Sequence, residues 1–120
     1  MLYLIPSPIG NLADFTFRAV AVLNAVDLIL AEDTRTTAVL LKHYQIQKPI
    51  TAYHQHNEHK ILTHLTEQLA SGKTMALVTD AGTPGISDPG AILVKQVRLH
   101  GYQVIPIPGA NAAICAFSAA

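Results

Sequence analysis

The chain has 120 residues, half of them hydrophobic and 13% charged, and its eight basic and eight acidic residues cancel to a formal net charge of zero. That length suits one domain with a single core, and the apolar content excludes a disordered chain. The neutral balance lacks the basic excess with which a stand-alone nucleic-acid binder neutralises phosphates. Any RNA contact therefore needs charge from another segment or partner, and DNA is not expected as a partner.

In chain order, the start MLYLIPSPIGN has no basic flank and too short an apolar run for a signal peptide. Its apolar part, Leu2–Pro6, reads as a strand that runs into the loop Pro6–Asn11. Asp14 is placed to cap a first helix with the stripe Ala19, Val20 and Leu23. Leu28–Ala31 reads as a second strand, and Asp33 as the cap of a second helix carrying Val39, Leu40 and Leu41. A third strand is expected at Ile50–Tyr53, followed by the polar stretch HQHNEHK and a helix striped by Ile61, Leu62, Leu65 and Leu69. Gly72 ends that helix in the left-handed conformation. Met75–Thr79 is a fourth strand and leads into DAGTPGISDPG, Asp80–Gly90, which is too rich in glycine and proline to be the interior of an element. A fourth helix carries Ile92, Leu93 and Val97 and ends at Gly101, and Val104–Pro106 is a fifth strand before PGAN at Pro108–Asn111.

Strand and helix alternate throughout, and the strands are continuous apolar runs of the kind that is covered on both faces. The expected fold is α/β: an open, doubly wound, mostly parallel five-stranded sheet with helices on both faces. Asn24 and Asp27 interrupt the longest apolar stretch before the ~20 residues that a membrane span needs. Cys115 is the single cysteine, so no disulfide framework is expected, and the chain reads as cytoplasmic. The segment PGANAAICAFSAA has helical composition without a stop signal, so the chain is expected to be the N-terminal portion of something longer.

Strands of a parallel sheet point the same way, so the three glycine-containing loops, Pro6–Asn11, Asp80–Gly90 and Pro108–Asn111, should share one edge and form a pocket. No G-x-x-x-x-G-K-[ST] occurs, and G-x-G-x-x-G is absent after the first strand. Glu32 does stand where the acid of a dinucleotide-binding fold would hold a ribose hydroxyl, which leaves a nucleotide-binding module as one reading.

Taken together, LYLIPSPIGNLADFTFRAV, VDLILAEDTRTT, HNE, LVTDAGTPGISDPG and IPIPGA resemble the tetrapyrrole methylase (class III) family of S-adenosylmethionine-dependent methyltransferases, in its branch acting on small-subunit ribosomal RNA. The resemblance runs over essentially the whole chain. It implies two α/β domains with S-adenosylmethionine in the cleft between them, a homodimer, and methylation of a cytidine ribose 2′-hydroxyl in the decoding region of 16S ribosomal RNA. On the same basis Ile9, Gly10, Thr83, Ile86, Gly109 and Ala110 line the cofactor. The present chain corresponds to the N-terminal domain, residues 1–120, and by itself is expected to be inactive. A tetrapyrrole- or diphthine-type methylase is the alternative within the class.

Because a sulfonium already carries a reactive methyl, the protein needs mainly to place the reactants, and a dry cleft favours a transfer that consumes opposite charges. A ribose hydroxyl gains from a base, and Glu32, Asp33 and Asp80, at strand ends, are the candidates. Arg35 is a candidate phosphate ligand. Asp33 has a second reading as a helix cap paired with Arg35, and Asp80 as the anchor of its own turn. His54, His56 and His59 have neither a nearby cysteine nor a zinc spacing, so no metal is expected. The family shares HNE, which gives His56, Asn57 and Glu58 an RNA-side or structural role, with Asn57 the candidate substrate contact.

Overall fold

The structure, a computed structural model, describes residues 1–8, 11–54, 58–79 and 88–107. Its strands are β1 Leu2–Pro6, β2 Leu28–Ala31, β3 Ile50–Ala52, β4 Met75–Thr79 and β5 Val104–Pro106. Between them lie α1 Phe17–Ala25, α2 Thr34–His43, α3 Glu58–Ala70 and α4 Asp88–Leu99. The strands form one sheet in the order β3-β2-β4-β1-β5, and every neighbouring pair is parallel. The third strand stops one residue earlier than expected, although the Tyr53 N–H still donates to the Ala31 carbonyl at 2.8 Å.

Each apolar run is continuous because alternate residues feed two cores. Ile5, Ile29, Ala76 and Val78 pack with Ala19 and Leu23 of α1 and with Leu40 and Leu41 of α2. Leu2, Leu30, Met75 and Leu77 pack with Leu65 and Leu69 of α3 and with Leu93 and Val97 of α4. The helices are thus paired on opposite faces, α1 and α2 on one and α3 and α4 on the other. Two residues of the expected stripes lie off these faces: Val39 is 60% exposed and Ile92 is 39% exposed. Each sits one residue, about 100° of helical turn, from a core position that already fills the contact.

The helix ends mix expected and unexpected chemistry. Asp33 caps α2 as read from the sequence. Asp14 does not cap α1. It closes a 3₁₀ turn, Leu12–Asp14, whose cap is Asn11, and Thr16 caps α1 by accepting from the Ala19 N–H at 3.0 Å. Phe15 is extended, so the chain leaves the short turn before the helix begins, and the capping position falls two residues later. Gly72 and Gly101, at φ +92° and +81°, end α3 and α4. After each, an N–H returns to the last turn, Lys73 to the Gln68 carbonyl and Tyr102 to the Val97 carbonyl. The end of α2 uses the same closure, Ile46 N–H to the Leu41 carbonyl at 2.8 Å, but the residue at positive φ is Gln45 (φ 57°).

This topology positions a site. From β2 the chain leaves over one face through α2 toward the β3 edge, and from β4 it leaves over the other through α4 toward the β5 edge. Adjacent strands whose connections diverge in this way leave a crevice outside their carboxyl ends, here between β2 and β4.

Candidate functional site

The register aligns the carboxyl ends of the strands. Ala52, Ala31, Val78 and Ile5 share one row across β3, β2, β4 and β1, and the Ile107 N–H continues it by donating to the Leu4 carbonyl at 2.9 Å. One residue further on, Tyr53 and Glu32 stand level with Thr79 and Pro6, and beyond these come His54, Asp33 and Ser7. Among the described residues this rim carries carboxylates, hydroxyls and one histidine, and no lysine or arginine.

Glu32 is half-buried at the mouth of the β2–β4 crevice. Asp33 is exposed and engaged by its own helix. Its Oδ1 accepts from the Arg35 N–H at 2.9 Å and the Thr36 N–H at 3.4 Å, and its Oδ2 accepts from the Thr36 hydroxyl at 3.2 Å. The Thr36 and Arg35 backbone donors, then the Thr36 hydroxyl and the Arg35 charge, hold its carboxyl below the ordinary carboxylate value. A carboxylate so satisfied is a weak base, and the cap is what Asp33 does in this structure. The Arg35 side chain is exposed beside it on the first turn of α2. Of the other sequence-derived site residues, Ile9, Gly10, Asn57, Asp80, Thr83, Ile86, Gly109 and Ala110 lie outside the described residues.

Two groups of buried polar atoms stand at this edge, and of their residues the sequence marks only Glu58, within HNE. Tyr53 is fully buried, and Glu58, in the first turn of α3, is 6% exposed. Among the described residues the Tyr53 hydroxyl and Glu58 Oε2 have no hydrogen-bond partner of good geometry, yet the two residues are close enough for the carboxylate to act on the phenol. Burial, followed by that negative neighbour, pushes the Tyr53 phenol above the usual tyrosine range. On the opposite face Ser7, just past β1, and Thr37, in α2, are 7% and 2% exposed, and neither hydroxyl has a partner among the described residues. The available signal is modest: a glutamate within the polar stretch after a strand, and hydroxyl residues in PSPIGN and AEDTRTT.

An open, all-parallel five-stranded sheet with helices on both faces defines an α/β domain of the doubly wound class. The chain belongs to the tetrapyrrole (corrin/porphyrin) methylase family, whose family model matches residues 1–120. It is 54% identical over 119 residues to the ribosomal RNA small subunit methyltransferase I of Pasteurella multocida, covering 99% of this chain and 42% of that protein. With the protein of the same name from Escherichia coli O157:H7 it shares 55% identity over 119 residues, with 99% and 42% covered. The chain thus spans about two-fifths of the length of these curated relatives. Among solved structures, a cobalt precorrin-4 methyltransferase of cobalamin biosynthesis superposes with a TM-score of 0.73 at 17% identity, covering 98% of this chain and 49% of that one. A diphthine synthase gives 0.69 at 13% identity, with 98% and 48% covered. At those identities the structural likeness establishes the fold. No described helix is long and apolar enough to cross a membrane.

Proposed function

We propose that this chain is the N-terminal, S-adenosylmethionine-binding domain of an enzyme that methylates the ribose 2′-hydroxyl of a cytidine in 16S ribosomal RNA. On this reading a second domain completes the cleft, and the enzyme acts on the small ribosomal subunit as a cytoplasmic homodimer. The observation that carries the proposal is the identity above 50% over nearly the whole chain to proteins named for ribosomal RNA methylation.

The rim suits the cofactor. A sulfonium cation is compatible with a strand edge bearing Glu32 and Asp33. Ile9, Gly10, Thr83, Ile86, Gly109 and Ala110 would hold S-adenosylmethionine, which supplies an activated methyl when bound. Glu32 and Asp80 are the candidates to take the proton from the ribose hydroxyl. Glu32 has the better-supported position, at the mouth of the crevice. Asp33 contributes by fixing the first turn of α2, from which Arg35 reaches a phosphate, and Asn57 contacts the RNA.

The test uses the full-length protein, labelled S-adenosylmethionine and small ribosomal subunits that lack the modification. Label at a cytidine 2′-oxygen is the expected result. Transfer to a tetrapyrrole or to diphthine, with none to RNA, would assign the chain to another branch of the family. Binding of NAD in place of S-adenosylmethionine would end the methylase reading. Within a methylating enzyme, Glu32→Gln should lower kcat by about 10²–10⁴-fold if Glu32 is the base. Full activity in that variant would leave the role to Asp80 or to positioning alone.

A further inference from the structure

Between the exit of β1 and the first turns of α2 lies a cavity of about 70 Å³, lined by Ser7, Pro8, Leu12, Thr36, Thr37 and Leu40. Two of these residues, Ser7 and Thr37, are more than nine-tenths buried and carry hydroxyls that have no hydrogen-bond partner among the described residues. Leaving buried polar groups unpaired is costly, and such groups are rare in folded proteins, so two of them on residues that line one cavity mark a place where a hydrogen-bonding group can be taken up. The hydroxyls have three staggered χ1 positions each, so one that faces the wall can turn to meet a group in the cavity.

The walls are held in place independently of any occupant. The Tyr44 hydroxyl donates to the Leu12 carbonyl, and its ring packs on Phe15 at a centroid distance of 5.3 Å. Thr36 is tied to Asp33 through its hydroxyl at 3.2 Å. A cavity built in this way takes a ligand group with little ordering cost.

We propose that this cavity is a subsite for an uncharged hydrogen-bonding edge of a nucleoside, with Ser7 Oγ and Thr37 Oγ1 as its two contacts. Among the described residues no cation lines it, and the Asp33 carboxylate already occupies the N-terminus of α2, so the cavity rejects phosphate. A hydroxyl both donates and accepts, which matches a ribose hydroxyl or the amide-like edge of a base. The size agrees: the cavity exceeds the ~30 Å³ share of one water and falls below the ~150 Å³ that holds a benzene ring, so it receives an edge and not a whole base. The assignment rests on the methyltransferase reading above, in which two nucleosides approach this strand edge, the acceptor nucleotide of the RNA and the adenosine of the methyl donor.

The test compares the full-length protein with Thr37→Val and Ser7→Ala, singly and together, and with Thr37→Ser. Three quantities are read: KM for the RNA acceptor, Kd for S-adenosylmethionine, and the urea midpoint. The double variant should raise one of the first two by roughly tenfold or more with no loss of midpoint, because it deletes hydroxyls that make no internal bond. Thr37→Ser should restore the wild-type value. A raised KM identifies the acceptor as the source of the nucleoside, and a raised Kd identifies the donor. Unchanged KM and Kd in a folded double variant would overturn the subsite and leave a solvent-filled cavity. If the wild-type protein transfers no methyl to RNA, the functional reading fails separately. The subsite is then read by amide chemical shifts on titration with cytidine and with adenosine: shifts at Ser7 and Thr37 that the double variant lacks support it, and their absence in the wild type refutes it.

Discussion

Replacing Tyr53 with phenylalanine removes one oxygen from a side chain with no exposed surface. Among the described residues that oxygen has no hydrogen-bond partner of good geometry, although Glu58 stands close enough to act on it, so the folded chain carries a desolvation cost of about 1–3 kcal/mol. The ring keeps its place in the core formed with Leu30, Leu65 and Leu77. Tyr53→Phe should therefore stabilise the protein by about 1 kcal/mol at neutral pH, the opposite sign to most core substitutions. A second signature appears in alkali. Burial, then the Glu58 charge, raises the phenol above its ordinary value of 10.0, so the unfolded chain releases the proton first. The stability that comes from keeping the neutral phenol is complete below about pH 10 and is lost as the pH climbs through the raised folded value. The decline is at most about 1.4 kcal/mol per pH unit, and it is smaller to the extent that water at the strand end screens the phenolate. Urea unfolding of both proteins at neutral pH and from about pH 9 to 11 measures both effects, with the other tyrosines common to the pair. A loss of more than about 1 kcal/mol in the variant at neutral pH would refute the reasoning, because it would mean that the hydroxyl is bonded in the folded state. A double-mutant cycle with Glu58→Gln would then identify the partner.

Gln45 closes α2 at positive φ without the freedom of glycine, so Gln45→Gly should raise stability by about 0.5–1 kcal/mol, and a fall in the urea midpoint would contradict this. Asp33→Ala removes the cap of α2 and should lower the midpoint at neutral pH. Because the Asp33 carboxyl is held below its ordinary 3.8, its contribution is present above that value and lost as the pH falls through the lower folded one, so the variant should also show a flatter acid limb. Asp33→Asn should keep the cap and lose only the acid dependence, which separates the two effects. Leu65→Ala empties a site with no exposed surface against the sheet and should cost about 2–5 kcal/mol, whereas Val39→Ala, at a residue 60% exposed, should stay within about 0.5 kcal/mol. Equal effects at the two sites would mean that α2 or α3 is packed otherwise than described.

The main strands and helices, and several of their ends, are legible in the sequence because they rest on local physics. Continuous apolar runs marked Leu28–Ala31 and Met75–Thr79 as strands covered on both faces, and Gly72 and Gly101 marked helix ends through a backbone conformation that other residues adopt at a cost. Asp33 was readable as a cap because a carboxylate two or three residues ahead of free N–H groups needs nothing from the rest of the fold. The same reasoning misassigned Asp14, since Thr16 competes for the cap and only the path of the chain through Phe15 settles which one wins. It also passed over Gln45, whose strained φ is imposed by the closing bond from Ile46 to Leu41. Burial of Val39 and Ile92 could not be separated from that of their neighbours, because which side of a helix meets the sheet depends on its docking angle.

The strand order β3-β2-β4-β1-β5 lies further from local reach, and so does the crevice that it opens between β2 and β4. Adjacency in a sheet is selected by the combined packing of both faces, and no single segment encodes it. The meeting of Ser7 with Thr37, and of Tyr53 with Glu58, is of the same kind. Sequence supplied each hydroxyl and carboxyl and the strand end or helix start that bears it. Long-range packing then removed them from water side by side, and an unpaired polar group becomes costly, and so informative, only after that burial has happened.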